Sequence, residues 1–223
     1  MLRVALVDLG MGNLHSVERA LGQGAADAGV TCTVVRTGDP DEVRRADKIV
    51  VPGQGAFRDC SAGLGSGLGD ALRERIKAGV PFLGICLGLQ ALFDGSDEAP
   101  GAAGLGVFPG RVARLLPVHD GGDPHTPGPA GYGVKIPHMG WNRVTLLRPE
   151  GPLSVFAGQE PYLYFVHSFH AVPDDLSLVA AVTDHGPYRV TAAVQRDNVT
   201  ATQFHPEKSQ AAGLRLLAAF LGS

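Results

Sequence analysis

The chain has 223 residues, enough for one well-buried core, and its 44% hydrophobic and 18% charged content excludes a disordered or coiled-coil protein. The net charge of −3 at pH 7 argues against a generic electrostatic attraction to nucleic acid or to an anionic membrane. Three irregularly spaced cysteines indicate neither a disulfide framework nor a zinc site, and no apolar run approaches the ~18 residues of a membrane span. We therefore expect one cytoplasmic domain over residues 1–223.

The first half of the chain alternates apolar, β-rich runs with longer amphipathic segments. The predicted strands cover residues 4–9, 31–36, 48–51 and 81–86. The predicted helices cover residues 13–28, 67–78 and 87–93. Continuous apolar strands that alternate with helices are typical of a doubly wound parallel sheet. The pattern predicts an α/β fold with a mostly parallel sheet flanked by helices.

The second half contains strand-like segments that follow one another without helices between them. These segments cover residues 111–116, 142–147, 162–166, 178–183, 190–195 and 199–204. Such a succession predicts a mixed or antiparallel extension of the same sheet. A closing helix is predicted over residues 211–221, because apolar residues recur there at helical spacing.

A segment at 119–133 has five glycines and three prolines in fifteen residues, and we expect a flexible, exposed loop. Its His119, Asp120, Asp123 and His125 resemble metal ligands by residue type. Ordering such a loop around an ion would cost much conformational entropy, so we predict no metal site.

The motif Gly-Ile-Cys-Leu-Gly at 84–88 lies where the fourth predicted strand turns into a helix. Small residues two positions before and after a nucleophile are typical of a nucleophile elbow. Side chains at Gly84 or Gly88 would clash with the neighbouring turn, and the helix that begins at Leu87 would favour a Cys86 thiolate. The motif predicts a reactive thiol; the alternative is a buried structural cysteine between two packing glycines.

The run Q-F-H-P-E-K at 203–208 follows the last predicted strand. His205 and Glu207 are two positions apart and can face the same side of an extended segment. A carboxylate holds a histidine base in one tautomer, as a base that serves a nucleophile requires. Alone, His-Pro-Glu is more often an ordinary surface loop. Combined with the elbow, it predicts a catalytic triad of Cys86, His205 and Glu207.

The turn P-G-Q-G at 52–55 follows the third predicted strand. In a doubly wound sheet the functional site lies beyond the carboxyl ends of the strands. There the backbone N–H of Gln54 would face a developing oxyanion, with the N–H of Leu87 as second donor. The alternative is a plain turn that ends a strand.

Three motifs together resemble the class I, triad-type glutamine amidotransferases: G-I-C-L-G-L-Q at 84–90, H-P-E-K-S at 205–209 and P-G-x-G-A-F at 52–57. More narrowly, the chain resembles the glutaminase subunits of imidazole glycerol-phosphate synthase from histidine biosynthesis. The runs that point to this member are P-H-M-G-W-N at 137–142 and Y-F-V-H-S-F at 164–169, with the lysine after His-Pro-Glu; the resemblance also includes G-M-G-N-L at 10–14. The resemblance covers nearly the whole chain and implies a flavodoxin-like fold without cofactor or metal.

The resemblance implies that the Cys86 thiolate attacks the side-chain carboxamide of L-glutamine, assisted by His205 and Glu207. It implies that the substrate's α-amino and α-carboxylate groups are held by Gln90, Glu98, Tyr164 and Ser168. Glu98 suits an ammonium group by its charge, whereas Gln90 is equally consistent with an ordinary helix-surface position. The sequence departs from the family at Gln54, where a small apolar residue is common, and 119–133 looks like an insertion.

The resemblance also implies a partner, a cyclase subunit with a (β/α)8 barrel that forms a heterodimer with the chain and receives the ammonia. Candidates for the partner-facing side are Asn13, Met139, Trp141 and Lys208. Their alternative roles are a helix N-cap for Asn13, core packing for the two apolar residues and a solvated charge for Lys208.

Other functions fit the sequence less well. The first strand is followed by Gly10-x-Gly12-x-x-His15, which lacks the third glycine of a dinucleotide-binding turn, and no P-loop lysine motif exists. A catalytically silent binding subunit would not need an intact cysteine, histidine and glutamate. Glutaminases of pyridoxal phosphate synthase or anthranilate synthase usually carry different residues around the cysteine and after His-Pro-Glu.

Overall fold

The computed structural model describes residues 1–116 and 134–223. Its strands are β1 (Leu2–Val7), β2 (Cys32–Thr37), β3 (Lys48–Gly53), β4 (Phe82–Cys86), β5 (Gly95–Ser96), β6 (Gly110–Arg114), β7 (His138–Arg143), β8 (Thr145–Leu146), β9 (Tyr162–His167), β10 (Phe169–Pro173), β11 (Val179–His185), β12 (Tyr188–Arg196) and β13 (Val199–Thr202). Its helices are α1 (Leu14–Ala28), α2 (Pro40–Arg44), α3 (Phe57–Gly63), α4 (Leu68–Lys77), α5 (Leu87–Gln90) and α6 (Gln210–Gly222). Short 3₁₀ turns cover Gly151–Phe156, Leu176–Leu178 and Pro206–Lys208.

The central sheet has eight strands in the order β2-β1-β3-β4-β13-β12-β11-β8. The first five strands in this order run parallel, and β12, β11 and β8 are joined by antiparallel pairing. Helices cover both faces, with α1 packed on α6 and α2 packed on α4. The predicted fold, a mostly parallel α/β sheet with an antiparallel extension, is therefore confirmed.

Helix α1 shows how sequence sets the packing of one face. Asn13 caps its start, because the side-chain oxygen accepts a hydrogen bond from the N–H of Ser16 at 3.2 Å, and Gly29 ends it in the left-handed conformation. The buried stripe of α1 includes Leu21, which belongs to the same apolar cluster as Leu217 of α6. Burial of each such leucine stabilises the fold by roughly 2 kcal/mol.

The second half of the chain differs from the sequence prediction in its pairing. Three of the predicted strands, at 178–183, 190–195 and 199–204, join the central sheet as β11, β12 and β13, although β13 ends at Thr202. From the predicted strand at 142–147 only β8 joins this sheet. The segment at 111–116 instead pairs with β10 and β5 in a three-stranded sheet, and β7 pairs with β9 alone. The prediction that all of these segments extend the central sheet was therefore wrong. Alternation of apolar residues shows which side chains of a strand share a face, but it does not show which strand pairs with it.

Several elements also differ in extent. Helices α2 and α3 and strand β10 were not predicted, and the helix predicted over 87–93 ends at Gln90. The predicted loop at 119–133 lies outside the described residues. Within residues 1–116 and 134–223, no helix combines the length and apolar character that crossing a membrane would require.

Candidate active site

The topology brings three predicted motifs to one edge of the sheet. Strands β3, β4 and β13 are parallel neighbours, and Gly53 at the end of β3 pairs with Cys86 at the end of β4. A pocket of about 440 Å³ opens there. The predicted residues that line it are Gln54, Cys86, Leu87, Gln90, Glu98, Tyr164, Ser168 and Lys208.

Cys86 occupies a strained turn between β4 and α5. Its backbone has φ 53° and ψ −102°, a positive-φ conformation that non-glycine residues rarely adopt. A Cβ on Gly84 would lie 2.7 Å from the carbonyl oxygen of Gly88, and a Cβ on Gly88 would lie 1.8 Å from that of Val51. The clash predicted at Gly84 is thus with the following turn, whereas Gly88 is needed because β3 passes directly behind it.

His205 and Glu207 form a buried pair beside this turn. The Nδ1 atom of His205 is 2.8 Å from Oε1 of Glu207, and the two side chains are only 1% and 3% exposed. Backbone contacts hold the histidine in place, since its N–H donates to the Tyr164 carbonyl at 2.8 Å and its carbonyl accepts from the Ser209 hydroxyl at 2.6 Å. The arrangement matches a base oriented by a carboxylate.

The charge state of His205 is set by its neighbours. Burial lowers its pKa, but the charge of Cys86 and the bond to Glu207 outweigh burial and raise the pKa of His205 to about 10. Cys86 acts mainly through its charge, because Nε2 of His205 has no partner at hydrogen-bonding distance among the described residues. At neutral pH His205 is therefore protonated, an imidazolium next to the sulfur of Cys86.

A chain of side-chain amides approaches the sulfur from the other side. Gln203 is completely buried, and its Nε2 lies 3.5 Å from Sγ of Cys86. The Nε2 of Gln90 donates to Oε1 of Gln203 at 3.2 Å and to the carbonyl of Phe169 at 3.0 Å. Gln90 is therefore a buried part of the site and not a helix-surface residue.

A histidine chain lies behind Phe169. His167 Nδ1 donates to the Phe169 carbonyl at 2.9 Å, so its Nε2 must accept from His138 Nδ1 at 2.9 Å, and His138 Nε2 accepts from Asn142 at 3.1 Å. Burial, with the neighbouring histidines, lowers the pKa of His138 to about 4 and that of His167 to about 3. Both rings are neutral at physiological pH, as this direction of hydrogen bonding requires.

The predicted oxyanion donors, Gln54 and Leu87, both line the pocket. An added Cβ on Gly53 would lie 2.7 Å from the Cβ of Leu87, so the two turns are in direct contact. An added Cβ on Gly12 would lie 3.2 Å from the Gln54 nitrogen, which places the first loop against this peptide. Leu87 begins α5, where backbone N–H groups lack intrahelical acceptors.

The remaining predicted substrate contacts surround the pocket. Glu98 is half-buried, and its Oε2 accepts a 2.8 Å hydrogen bond from the N–H of Phe57. Tyr164 and Ser168 lie on and just after β9, with the Ser168 carbonyl accepting from the N–H of Leu115 at 2.9 Å. The side chains of these three residues share the pocket with Cys86.

Comparison with known proteins places the chain in a family. The family described as Glutamine amidotransferase class-I matches residues 5–221. An imidazole glycerol phosphate synthase subunit HisH from Methylococcus capsulatus is 49% identical over 221 residues, which is 99% of this chain and 96% of that protein. The chain belongs to the class-I glutamine amidotransferases, among the HisH subunits. A second HisH, from Syntrophotalea carbinolica, is 46% identical to this amidotransferase over 97% of the chain and 98% of that protein.

Solved structures share the fold of this amidotransferase. A crystal structure of a glutamine amidotransferase aligns with a TM-score of 0.67 at 17% identity, over 98% of this chain and 99% of that one. PurLQS from Thermotoga maritima aligns with a TM-score of 0.68 at 16% identity, over 99% and 97% of the two chains. At these identities the likeness concerns the architecture alone.

The residues predicted to face a partner have different surroundings. Met139 and Trp141 are 62% and 54% exposed, which contradicts the core-packing alternative. The Trp141 ring packs edge-on against Tyr164 at 5.0 Å, and Nζ of Lys208 lies 5.7 Å from the centre of the same tyrosine ring. Asn13 is exposed and is the N-cap of α1, as its alternative role predicted.

The sequence of this amidotransferase did not by itself indicate a role for Gln203, His138 or His167. Each of them lies inside one of the motifs described above. Gln203 approaches Cys86 from a neighbouring strand, and the two histidines meet from different strands, so the sequence of a single segment does not show these contacts. Within residues 1–116 and 134–223 no cluster of three His, Cys, Asp or Glu side chains has metal-binding geometry. The loop residues considered as ligands lie outside that part of the chain.

Proposed function

We propose that the chain is the glutamine-hydrolysing subunit of imidazole glycerol phosphate synthase in histidine biosynthesis, working in the cytoplasm. It converts L-glutamine and water to glutamate and ammonia with Cys86 as nucleophile, His205 as acid and base, and Glu207 as the group that orients His205. The observation that carries this proposal is the buried 2.8 Å His205–Glu207 bond beside a cysteine at φ 53° that opens to a pocket.

In the first half of the reaction the Cys86 thiolate attacks the substrate carboxamide carbon. The resulting oxyanion is stabilised by the N–H groups of Gln54 and Leu87. His205 is protonated at neutral pH because its pKa is raised to about 10, so it can donate a proton to the leaving nitrogen. Ammonia leaves, and a γ-glutamyl thioester remains on the sulfur.

In the second half His205 is neutral and removes a proton from water, which attacks the thioester carbon. Collapse of this intermediate releases glutamate and restores the thiolate and the imidazolium. Glu207 keeps the imidazole in one tautomer throughout, because its carboxylate accepts from Nδ1 and leaves Nε2 to face the reacting atoms.

The substrate's two charged ends require opposite partners. The Glu98 carboxylate suits the α-ammonium group, and the Tyr164, Ser168 and Gln90 positions surround the rest of the amino-acid backbone. Glu98 is a good candidate because one carboxylate oxygen is already fixed by the Phe57 N–H, which leaves the other for substrate.

We propose further that ammonia passes to a cyclase subunit with a (β/α)8 barrel, which makes imidazole glycerol phosphate and an aminoimidazole carboxamide ribonucleotide. Trp141 and Met139 expose apolar surface, the Trp141 ring packs against Tyr164, and Tyr164 and Lys208 line the pocket together with Cys86. Exposed apolar side chains beside a site are typical of a binding surface for another protein. Asn13 is the fourth candidate contact.

The triad is tested by glutamate release from the subunit with its co-purified cyclase. Cys86→Ala should abolish release, whereas Cys32→Ala removes a free cysteine on β2 and should leave it unchanged. Full activity of Cys86→Ala would disprove the mechanism. A wild-type complex that binds glutamine but releases no glutamate would support the alternative of a catalytically silent binding subunit.

We expect the isolated subunit to hydrolyse glutamine feebly and the cyclase to activate it. The Gln54 nitrogen lies against Gly12, and the glycines on either side of Gln54 allow its peptide to rotate between conformations. Binding of a partner could then favour the conformation that faces the oxyanion. Equal turnover with and without the cyclase would contradict this expectation.

A further inference from the structure

We propose that Gln203 stabilises the thiolate form of Cys86 by donating a hydrogen bond to its sulfur, and that Gln90 fixes the direction of this bond. The proposal rests on the proposed role of Cys86 as nucleophile and assigns two amides to the preparation of that nucleophile. Gln203 acts on the sulfur, and Gln90 is a positioning residue that acts through Gln203.

The location of Gln203 follows from the sheet. It comes directly after β13, whose Thr202 pairs with Ile85, so the next residue of each strand emerges at the same edge. The N–H of Gln203 donates to the Ala192 carbonyl at 2.8 Å, which fixes the backbone. The side chain is fully buried, and its Nε2 lies 3.5 Å from Sγ of Cys86.

The direction of the chain is determined by one carbonyl. The Phe169 oxygen can only accept, so the group 3.0 Å from it on Gln90 is the amide nitrogen. That same nitrogen is 3.2 Å from the side chain of Gln203, which must therefore present its oxygen. The remaining end of the Gln203 amide, the NH₂ group, then faces Cys86.

This polarity distinguishes the two protonation states of the sulfur. A thiolate is a hydrogen-bond acceptor, so it gains a hydrogen bond from the Gln203 NH₂ group. A thiol is a weak donor, and its S–H group would face the NH₂ group of Gln203, which is itself a donor and cannot accept. A buried donor aimed at a charged acceptor contributes more than a bond between neutral groups. The imidazolium of His205 and the amide of Gln203 therefore favour the same charged form.

Gln203→Met removes the amide at nearly constant volume, and Gln203→Glu keeps the shape but places a carboxyl group beside the sulfur. The matched control is Gln195→Met, which removes another buried glutamine, one on β12 whose amide lies against Gly151. All variants are prepared with the cyclase. Iodoacetamide alkylation of the Cys86 peptide is followed against pH by mass spectrometry, together with glutaminase kinetics and thermal unfolding.

For Gln203→Met the pH of half-maximal Cys86 alkylation should rise by about one unit, with kcat reduced about tenfold and KM changed less than about twofold. Gln203→Glu should shift the midpoint upward at least as far, since an ionised carboxylate opposes the thiolate. Gln195→Met should keep the wild-type midpoint even if its melting temperature falls.

A wild-type alkylation midpoint and kcat in folded Gln203→Met would overturn the proposal while leaving the triad intact. If Gln203→Met does not fold, an unshifted midpoint in Gln203→Glu decides against it in the same way. Failure of the underlying function is distinguished separately, because an active Cys86→Ala complex would remove the nucleophile itself.

Discussion

The chemistry of the site depends on how individual side chains share charge. His205 is almost fully buried, and burial alone would keep its imidazole neutral. The neighbouring sulfur and the carboxylate of Glu207 reverse this and make the charged ring the stable form. A protonated histidine suits the first step of glutamine hydrolysis, in which the leaving nitrogen needs a proton, and a thiolate suits attack on the carboxamide.

Glu207→Gln tests the role of the carboxylate. Burial lowers the pKa of His205 and the charge of Glu207 raises it, so the pKa should fall when that charge is removed. The glutamine amide can also donate to the imidazole ring and thereby hold it in the wrong tautomer. We expect kcat for glutamine hydrolysis to drop by at least about 100-fold with a smaller change in KM. Steady-state glutamate release with the cyclase measures both constants.

The control for this variant is Glu160→Gln, which removes a carboxylate from a surface ion pair with Arg143. Exposed ion pairs contribute little, so its kinetics should remain those of the wild type. A Glu207→Gln enzyme with wild-type kcat would show that His205 does not need this carboxylate.

At the level of residues, the proposed triad rests on local motifs, because the spacing of its three members within those motifs can be read from the sequence alone. Gln203 was missed although it stands only two positions before His205. Its contact with Cys86 arises from the parallel pairing of β13 with β4, which no local pattern contains. For Met139, core packing was one of two alternatives predicted from the sequence, and the structure shows that its side chain is exposed.

Among the elements, the turn between β4 and α5 determines where the nucleophile points. Gly88→Ala should destabilise the protein by about 3 kcal/mol or more, because the added methyl group would overlap the Val51 carbonyl of the adjacent strand. The displaced turn should also lose glutaminase activity. Chemical denaturation gives the free energy of unfolding.

Gly22→Ala is the matched control for this substitution. Gly22 lies within α1 and faces open space, so alanine should stabilise the helix by roughly 0.5–1 kcal/mol. If both variants changed stability equally, contact between the elbow and β3 would not explain the need for Gly88.

The elements of the first half were predicted more completely than those of the second. Parallel strands such as β1, β3 and β4 are buried on both faces and read as continuous apolar runs. Helix α2 escaped prediction because five residues are too few to show helical periodicity. The pairing of β7 with β9 away from the main sheet depends on tertiary contacts, which alternation alone does not encode.

For the whole molecule, the histidine chain makes stability depend on pH. The unfolded chain binds protons on histidine near pH 6.5, whereas in the folded state the pKa is lowered to about 4 for His138 and about 3 for His167. Above pH 6.5 both states are neutral, and on acidification the unfolded state takes up protons first. The free energy of unfolding should therefore fall by up to about 1.4 kcal/mol per pH unit for each ring.

Denaturation curves between pH 6.5 and pH 5 measure this slope, in a range above the titration of most carboxylates. His138→Asn should reduce the slope by the contribution of one ring whatever its effect on absolute stability. An unaltered slope in His138→Asn would mean that the ring is protonated in the folded protein.

The molecule's exposed apolar surface beside the pocket predicts where the proposed cyclase partner would bind. Met139 and Trp141 are two positions apart on β7 and therefore project from the same face. The Trp141 ring contacts Tyr164, which lines the pocket. Trp141→Ala should weaken binding of the cyclase about 30-fold or more, since large aromatic side chains at the centre of an interface contribute about 2 kcal/mol or more. Titration calorimetry measures the dissociation constant.

Leu176→Ala separates this local effect from a general loss of apolar surface. Leu176 is 76% exposed, more than Trp141, but it lies in the 3₁₀ turn after β10. Its truncation should leave cyclase binding within about twofold of the wild type if the binding surface is centred on β7. Equal losses in both variants would place the interface elsewhere, and ammonia would then have to reach the cyclase by a route other than the side of the pocket next to Trp141.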